Sequence, residues 1–433
     1  MTKPKIRFKG YGGEWESIDF CESFKLLKNN TLSRSELTDE GKIANIHYGD
    51  ILIKYGECID TAVDKLTYII DNEVGKNLLN NGALKKRDII FADAAEDTTV
   101  GKCSELICND NEEIVSGLHT IACRPQIDTA ERYLGYYLNS PAYHNQLLPH
   151  IQGTKISSIS RKAINTTKVV IPSEKEEQQT IASYFTSLDA QISASTARLA
   201  SLKQIKAASL QAMFPQEGET MPKIRFKGFE GEWESLDLCE SFELLKNNTL
   251  SRAELTDEGK IANIHYGDIL IKYGECIDTA VDKLTYIIDN EVGKNLLKNG
   301  ALKKGDIIFA DTAEDNTVGK CSELICRDNE VIVAGLHTIA CRPQIDIAER
   351  YLGYYLNSPA YHNKLLPHIQ GTKVSSISRK AINTTKVVIP KEKEEQQAIA
   401  SFFTSLDHQI SLYAKRLEKL KHIKAACLEK MFI

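Results

Sequence analysis

No stretch of this chain is apolar for the roughly 20 consecutive residues that a membrane-spanning helix needs. Residues Met1–Gly10 carry charge from the outset, so no secretory leader is expected. Zinc-ligand spacing is missing too. The nearest of the eleven cysteines, Cys103 and Cys108, have four residues between them, and no CxxC or Cys/His cluster occurs. Reduced, mostly buried thiols in a cytoplasmic protein are therefore expected. An excess of positive charge is absent: 54 Lys and Arg stand against 59 Asp and Glu, a net charge of −5. This argues weakly against a nucleic-acid partner, because the distribution of charge matters more than its sum. There is also no Walker A loop, HExxH or nucleophile elbow.

What the chain does have is a repeat. Residues 4–214 and 222–432 align without a gap at a constant offset of 218, with 30 substitutions in 211 positions. The period is too long for a solenoid unit, and each copy is large enough to hold its own core. Whatever one copy binds, the chain is expected to bind twice. The repeat also weakens the catalytic readings. Phe8-Lys9-Gly10-Tyr11-Gly12 is superficially like the methyl-donor loop of methyltransferases, but its copy, Phe226-Lys227-Gly228-Phe229-Glu230, loses the second glycine. No Asn-Pro-Pro-aromatic motif for a target base is present, and Asn139-Ser140-Pro141-Ala142 reads as a helix start. Acid pairs such as Glu112-Glu113 and Glu176-Glu177 read as solvated faces.

Each copy divides in two. Residues 4–172 mix short β-rich runs (IANIHYGDILIKYG, KKRDIIFAD, GLHTIACRP, INTTKVVIP) with turns and helical pieces. In DTAERYLGYYLNS, a predicted helix, Tyr133, Tyr136 and Tyr137 have the spacing of a packed face. Ser140 then serves as an N-cap, with Pro141 at the first helical position. Residues 173–214 read as one helix, opened by a capping box at Ser173-Glu174-Lys175-Glu176 of which the second copy, with Lys391, keeps half. Apolar positions then step alternately by four and three: Ile181, Phe185, Leu188, Ile192, Ser195, Leu199 and Leu202, and in the second copy Ile399, Phe403, Leu406, Ile410, Tyr413, Leu417 and Leu420. That period is the seam of a coiled coil, about 60 Å long for about 40 residues. Residues 215–221 form a linker, in which Met221-Pro222 resembles the start of a fused second gene. The second globular part is 222–390 and its helix 391–433. Thirteen of the substitutions fall within the 33 positions 180–212, and 17 in the other 178. Pairing of the helix with its own duplicate explains this, with Tyr413 set against Ser195 and Ala197; drift on exposed positions explains it equally.

Two segments per copy carry binding chemistry. Gly153–Pro172 holds Lys155, Arg161, Lys162 and Lys168 without an acid, interleaved with Thr154, Ser157, Ser158 and Ser160. From Gly371 the second copy repeats it with Thr372, Lys373, Ser375, Ser376, Arg379, Lys380 and Lys386. Small residues let backbone N–H groups approach phosphate, and the cations neutralise it. The turn Lys28-Asn29-Asn30-Thr31-Leu32-Ser33-Arg34 and its copy, with Lys246, Asn247, Asn248, Thr249, Ser251 and Arg252, offer amide and guanidinium groups for base edges. Each has a plainer reading, as a solvated loop before a strand and as an Asn turn. His47-Tyr48-Gly49-Asp50 and His265-Tyr266-Gly267-Asp268 are expected to be turns that feed strands.

The order of several pieces is specific. Pro-Lys-Ile-Arg-Phe-Lys-Gly is followed by Gly-Glu-Trp, then Tyr133-Leu134-Gly135-Tyr136-Tyr137-Leu138-Asn139-Ser140, Gly-Thr-Lys and Val-Val-Ile-Pro. Glu177-Gln178-Gln179-Thr180-Ile181-Ala182 comes next, with Leu188-Asp189 and Ile192 after it, closing on Met213-Phe214. In this order each half resembles a target-recognition domain and conserved helix of a specificity subunit of type I restriction–modification systems. The resemblance implies an α+β fold: two globular mixed α/β recognition domains separated by two long antiparallel helices, coiled together with pseudo-two-fold symmetry. It implies a non-catalytic reader of double-stranded DNA with a bipartite target. Two methyltransferase subunits, which use S-adenosylmethionine, are then expected as partners, and translocase–nuclease subunits where restriction occurs. No cofactor or metal is expected on this chain itself. Family members usually carry dissimilar recognition domains, whereas near-duplicates imply an interrupted palindrome with half-sites about one helical turn or somewhat more apart. Arg87 against Gly305, or Asn109 against Arg327, are differences by which the halves could diverge. The competing readings are a stand-alone two-headed DNA-binding regulator, separable by co-purification, and an enzyme that methylates DNA unaided.

Overall fold

A computed structural model describes residues 3–153, 155–298 and 300–433. The chain forms two compact units: residues 1–196 with 415–433, and residues 197–414. Each unit therefore holds one globular part, the beginning of that copy's long helix, and the end of the other copy's long helix.

In the first unit a five-stranded sheet has the order Phe24–Leu26, Thr120–Pro125, Ile89–Ala92, Cys103–Ile107, Cys58–Asp60. Only the last pairing is parallel. Its central strands are buried on both faces, as continuous runs such as Ile89-Ile90-Phe91-Ala92 require. A four-stranded sheet runs Ile114–Ser116, Ala44–Ile46, Tyr68–Ile69, Leu37–Thr38. Two ribbons complete the unit: Trp15–Asp19 with Lys168–Pro172, and Ala94–Ala95 with Ser157–Ser158. The second unit has the same four sheets in the same strand orders, with Ile307–Ala310 at the centre of its five-stranded sheet.

Local chemistry moves several boundaries. Tyr48–Ile53 is a helix rather than a turn feeding a strand, because His47 Nδ1 accepts the Gly49 N–H (3.2 Å) and so caps it. The same holds for Tyr266–Ile271, capped by His265. The helix expected over DTAERYLGYYLNS shortens to Tyr133–Asn139, because Arg132 adopts a left-handed conformation (φ 71°) and stops it from starting earlier. Ser140 occupies the N-cap position before Pro141, but its hydroxyl donates back to the Tyr137 carbonyl (2.6 Å) instead of capping.

The long helices are Lys175–Ala212 and Lys393–Lys430. Both start later than a capping box at Ser173 would place them. Each is fastened to its own globular part by the Glu-Gln pair in its first turn. Glu177 receives the fork of Arg7 (2.6 and 2.7 Å), while Gln178 accepts from the Ala130 N–H (2.8 Å) and donates to the Pro172 carbonyl (2.7 Å). Arg225–Glu395 and Gln396 repeat this in the second unit. The seam is buried where the period says it should be: Ile181, Phe185, Leu188, Ser195 and Leu202 on one helix, Ile399, Phe403, Leu406 and Leu420 on the other. Ile192, Leu199, Ile410, Tyr413 and Leu417 are half-buried, and Ala197 is exposed.

Each helix ends inside the unit of the other copy. Phe214 stacks on Phe403 at 5.9 Å and meets Tyr355 and Tyr351 at 5.5 and 6.0 Å. Phe432 stacks on Phe185 and meets Tyr137 and Tyr133 at 5.7 and 5.9 Å. Tyr133, Tyr136 and Tyr137 are thus core residues that form a socket for the incoming helix end. The Ile6 N–H donates to the Lys430 carbonyl (2.9 Å), and that of Ile224 to Ala212 (2.9 Å), satisfying orphan acceptors at the helix ends. One lysine per unit completes the fastening. Lys424 bridges Glu57 and Asp189 (both 2.6 Å), and Lys206 bridges Glu275 (2.7 Å) and Asp407 (2.6 Å). Burial lowers the pKa of each ammonium, but the two carboxylates more than offset this and the net shift is upward.

Candidate nucleic-acid interface

The first segment becomes a closed hairpin loop. Gln152 and Ser158 exchange backbone hydrogen bonds (3.0 and 2.7 Å), which pinches the neck of the loop. Gly153 has φ +109°, and a Cβ there would lie 2.0 Å from the Ile156 carbonyl oxygen, so only glycine closes this loop. Gly371 repeats the requirement. Lys155 and Ile156 are exposed at the tip, as are Thr372, Lys373 and Val374 in the second copy. Thr154 lies outside the described residues.

Ser157 is half-buried and Ser158 exposed in the ribbon with Ala94–Ala95, and Ser375 and Ser376 pair likewise with Thr312–Ala313. The Ser160 hydroxyl caps helix Arg161–Asn165 by accepting the Ala163 N–H (3.1 Å), which sets Arg161 and Lys162 in its first turn. From there Arg161 donates to the Asn29 side-chain oxygen (2.9 Å). The fold thereby joins two segments more than 100 residues apart in sequence. In the second copy Arg379 donates to the Leu245 carbonyl (2.5 Å) and Asn247 (3.3 Å). Lys162 and Lys380 are exposed.

The turn Lys28–Arg34 requires two corrections. Asn30 and Asn248 point inward and are buried, so neither is a base reader. Asn30 Nδ2 donates to Asn45 (2.6 Å) and the Ser116 carbonyl (2.9 Å), and its oxygen accepts the Leu32 N–H (3.0 Å). Asn248 does the same with Asn263, Ala334 and Leu250. Arg34 lays its fork on the buried Asp50 carboxylate (2.7 and 2.8 Å), and Arg252 bonds Asp268 (2.7 Å). This pair locks the turn instead of presenting a free fork to a base. Ser33 and Ser251 close capping boxes with Glu36 and Glu254. Lys28, Asn29 and Thr31 are exposed, with Lys246, Asn247, Thr249 and Ser251 in the second copy, and Arg34 and Arg252 are exposed even though their forks are engaged.

Sequence reasoning missed three residues at this surface. His119 sits in a left-handed conformation (φ 53°) with Nδ1 3.2 Å from the Asp93 carboxylate, and Tyr48 packs edge-on against it at 5.2 Å. Asp93 also joins the loop through its carbonyl, which accepts the Ile159 N–H (2.9 Å). Burial raises the Asp93 carboxyl pKa, with the charges of His119 and Arg161 opposing. His337, Asp311 and Tyr266 repeat the arrangement with one change. Thr312, where the first copy has Ala94, donates to Asp311 (2.8 Å) and stands 3.4 Å from His337. Positive φ at His119 is the signal that singles out this position, and it is invisible in sequence. Arg87 and Asn109 engage Thr129 and Glu112 instead.

Each unit thus presents a loop closed at its neck, a turn and a His–Asp pair, rich in donors and acceptors, with exposed cations beside them. Among the described residues no group of three or more His, Cys, Asp or Glu could hold a metal ion, and no helix is long and apolar enough to cross a membrane. The class defined by this fold is a duplicated α+β recognition domain with an attached long helix.

The family described as Type I restriction modification DNA specificity domain matches residues 13–204 and 230–422, and the chain belongs to it. The type I restriction enzyme MjaVIII specificity subunit of Methanocaldococcus jannaschii is 22% identical over 63% of this chain and 63% of its own length. The EcoKI specificity subunit of Escherichia coli strain K12 is 21% identical over 80% of this chain and 72% of its own. The chain spans from about half to about 70% of the length of the curated relatives it matches. The crystal structure of a type I restriction–modification S subunit from M. genitalium superposes with a TM-score of 0.57, at 15% identity, covering 100% of this chain and 99% of that one.

Proposed function

We propose that this chain is the DNA-reading, non-catalytic specificity subunit of a type I restriction–modification complex, working in the cytoplasm. The observation that carries the proposal is the repetition, on two units of that family, of the same exposed loop and turn around a helix-capped arginine. Lys155, Lys162, Lys373 and Lys380 are placed to neutralise phosphates. Asn29, Ser158 and the His119–Asp93 pair, with their counterparts, offer the paired donors and acceptors that base edges in a groove require.

Two adenine methyltransferase subunits are the proposed partners and carry the S-adenosylmethionine; translocase–nuclease subunits join where cleavage follows. Near-identical readers on helices that exchange their ends are proposed to address inverted half-sites, giving an interrupted palindrome. Mapping methylated adenines in the host genome tests this, and a motif with unrelated halves refutes the palindrome. Co-purification tests the rest: a stable complex with two methyltransferase subunits is expected, and a chain that binds its target alone and recruits none is a stand-alone regulator instead.

A further inference from the structure

The two copies differ at a place unrelated to the loop and turn. In the first unit the half-buried Arg87 donates to the Thr129 hydroxyl and lies 3.9 Å from Asp128. Its charge also reaches the buried Glu105 carboxyl. In the second unit the equivalents of Arg87 and Thr129 are Gly305 and Ile347. Both line an open cavity of about 540 Å³, together with Asp346 and Glu323, the counterparts of Asp128 and Glu105. A Cβ on Gly305 would meet nothing within 4 Å.

The walls of the two places are otherwise the same. The first unit holds three ion pairs, Lys175–Asp128 (2.5 Å), Lys86–Glu131 (2.6 Å) and Arg124–Asp88 (2.7 Å), and Arg87 approaches the first of them through Asp128. Lys393–Asp346, Lys304–Glu349 (2.5 Å) and Arg342–Asp306 (2.7 Å) surround the cavity. The first unit therefore shows that a guanidinium is accommodated beside the Lys175–Asp128 pair, and the second keeps the equivalent pairs while omitting the guanidinium. We propose that the cavity beside Gly305 is a binding site for a guanidinium group supplied from outside the chain, as free cation or as an arginine side chain of a protein partner. The loss of the Thr129 hydroxyl at Ile347 gives the site an apolar wall, which suits the flat, weakly hydrated face of a guanidinium better than an ammonium.

The test is a titration of the full chain with guanidinium ion, L-argininamide, L-lysinamide and a Gly-Arg-Gly peptide, followed by NMR or calorimetry. Wild type is expected to bind argininamide at one saturable site. Gly305→Arg should weaken that binding at least about ten-fold, and it should fold normally because Arg87 holds the same left-handed conformation (φ 74° against 85° at Gly305). The double variant Arg87→Gly, Thr129→Ile should bind at two sites. Guanidinium ion binding as tightly as argininamide assigns the site to the cation alone, and tighter binding of the peptide assigns it to a protein's arginine. No saturable binding by wild type, equal binding of lysinamide, or unchanged binding by Gly305→Arg overturns the proposal. None of these readouts depends on DNA.

Discussion

Replacing Phe214 by alanine removes a ring that is 0% exposed and wedged among Phe403, Tyr355, Tyr351 and Trp233. Phe214 ends the helix of the first copy yet lies wholly within the second unit, so the variant measures what the exchange of helix ends contributes. Burying a phenylalanine removes roughly 150–200 Å² from water, worth about 4 kcal/mol at about 25 cal/mol per Å². Measured core Phe→Ala losses of about 3–5 kcal/mol agree. The stacked partner allows a finer measurement. A double-mutant cycle with Phe403→Ala should give a coupling of about 0.5–1.5 kcal/mol beyond area burial. For a unit of this size each kcal/mol lowers the midpoint by roughly 2–4 °C, so the second unit should melt about 10 °C earlier in calorimetry. The first unit should be nearly unaffected. Ile271→Ala is the control, since Ile271 is 90% exposed and should shift stability by less than about 0.5 kcal/mol. A loss under about 1 kcal/mol for Phe214→Ala, or no coupling to Phe403, refutes the claim that this helix end is a structural member of the other copy's unit.

Four further outcomes are expected. Glu105 and Glu323, buried acceptors for the N–H groups of Arg132 and Gly135, and of Arg350 and Gly353, have pKa values pushed up by burial to about 7. Their folded-state pKa lies above the unfolded one, so their contribution is fully present below about pH 4.5 and is lost as pH rises through 7, by about 3 kcal/mol each. Urea melts across that range should show the fall, and Glu105→Gln with Glu323→Gln should flatten it. Lys206→Ala leaves Glu275 and Asp407 facing each other and should cost the second unit about 2 kcal/mol in denaturant melts, below the value for a fully buried pair because the site is partly wet. Lys155→Ala with Lys373→Ala should weaken DNA binding equally for all sequences and reduce the salt slope by about 2, one per cation; a change confined to cognate DNA contradicts the phosphate role. Thr312→Ala restores the first copy's His–Asp environment in the second, and methylation mapping should then show an inequality between the half-sites that arises at this pair disappear.

The family motifs were legible because they are short and ordered, but their roles were not. Gly135 has a packing role: a Cβ there would meet the Glu57 carbonyl oxygen at 2.2 Å, so the helix can approach the chain there only with glycine. Glu177 and Gln178 are fasteners for the helix, and Asn139 pins it by bonding both backbone groups of Cys103. In the turn, Asn29 and Asn30 are neighbours of the same type with opposite fates. Asn30 is drawn inward because Asn45 and Ser116, far away in sequence, offer it buried partners.

By itself the sequence determined the duplication, the helical seam and the polar loop, because these are patterns of period, identity and composition carried by contiguous residues. The tertiary structure alone decided which unit each helix end enters, that Arg161 meets Asn29, that Arg34 is held by Asp50, and that His119 and Asp93 share the surface. Those outcomes depend on contacts between residues tens to hundreds of positions apart. Such a contact is decided by which buried polar groups and apolar sockets the rest of the chain supplies, not by the residues that make it.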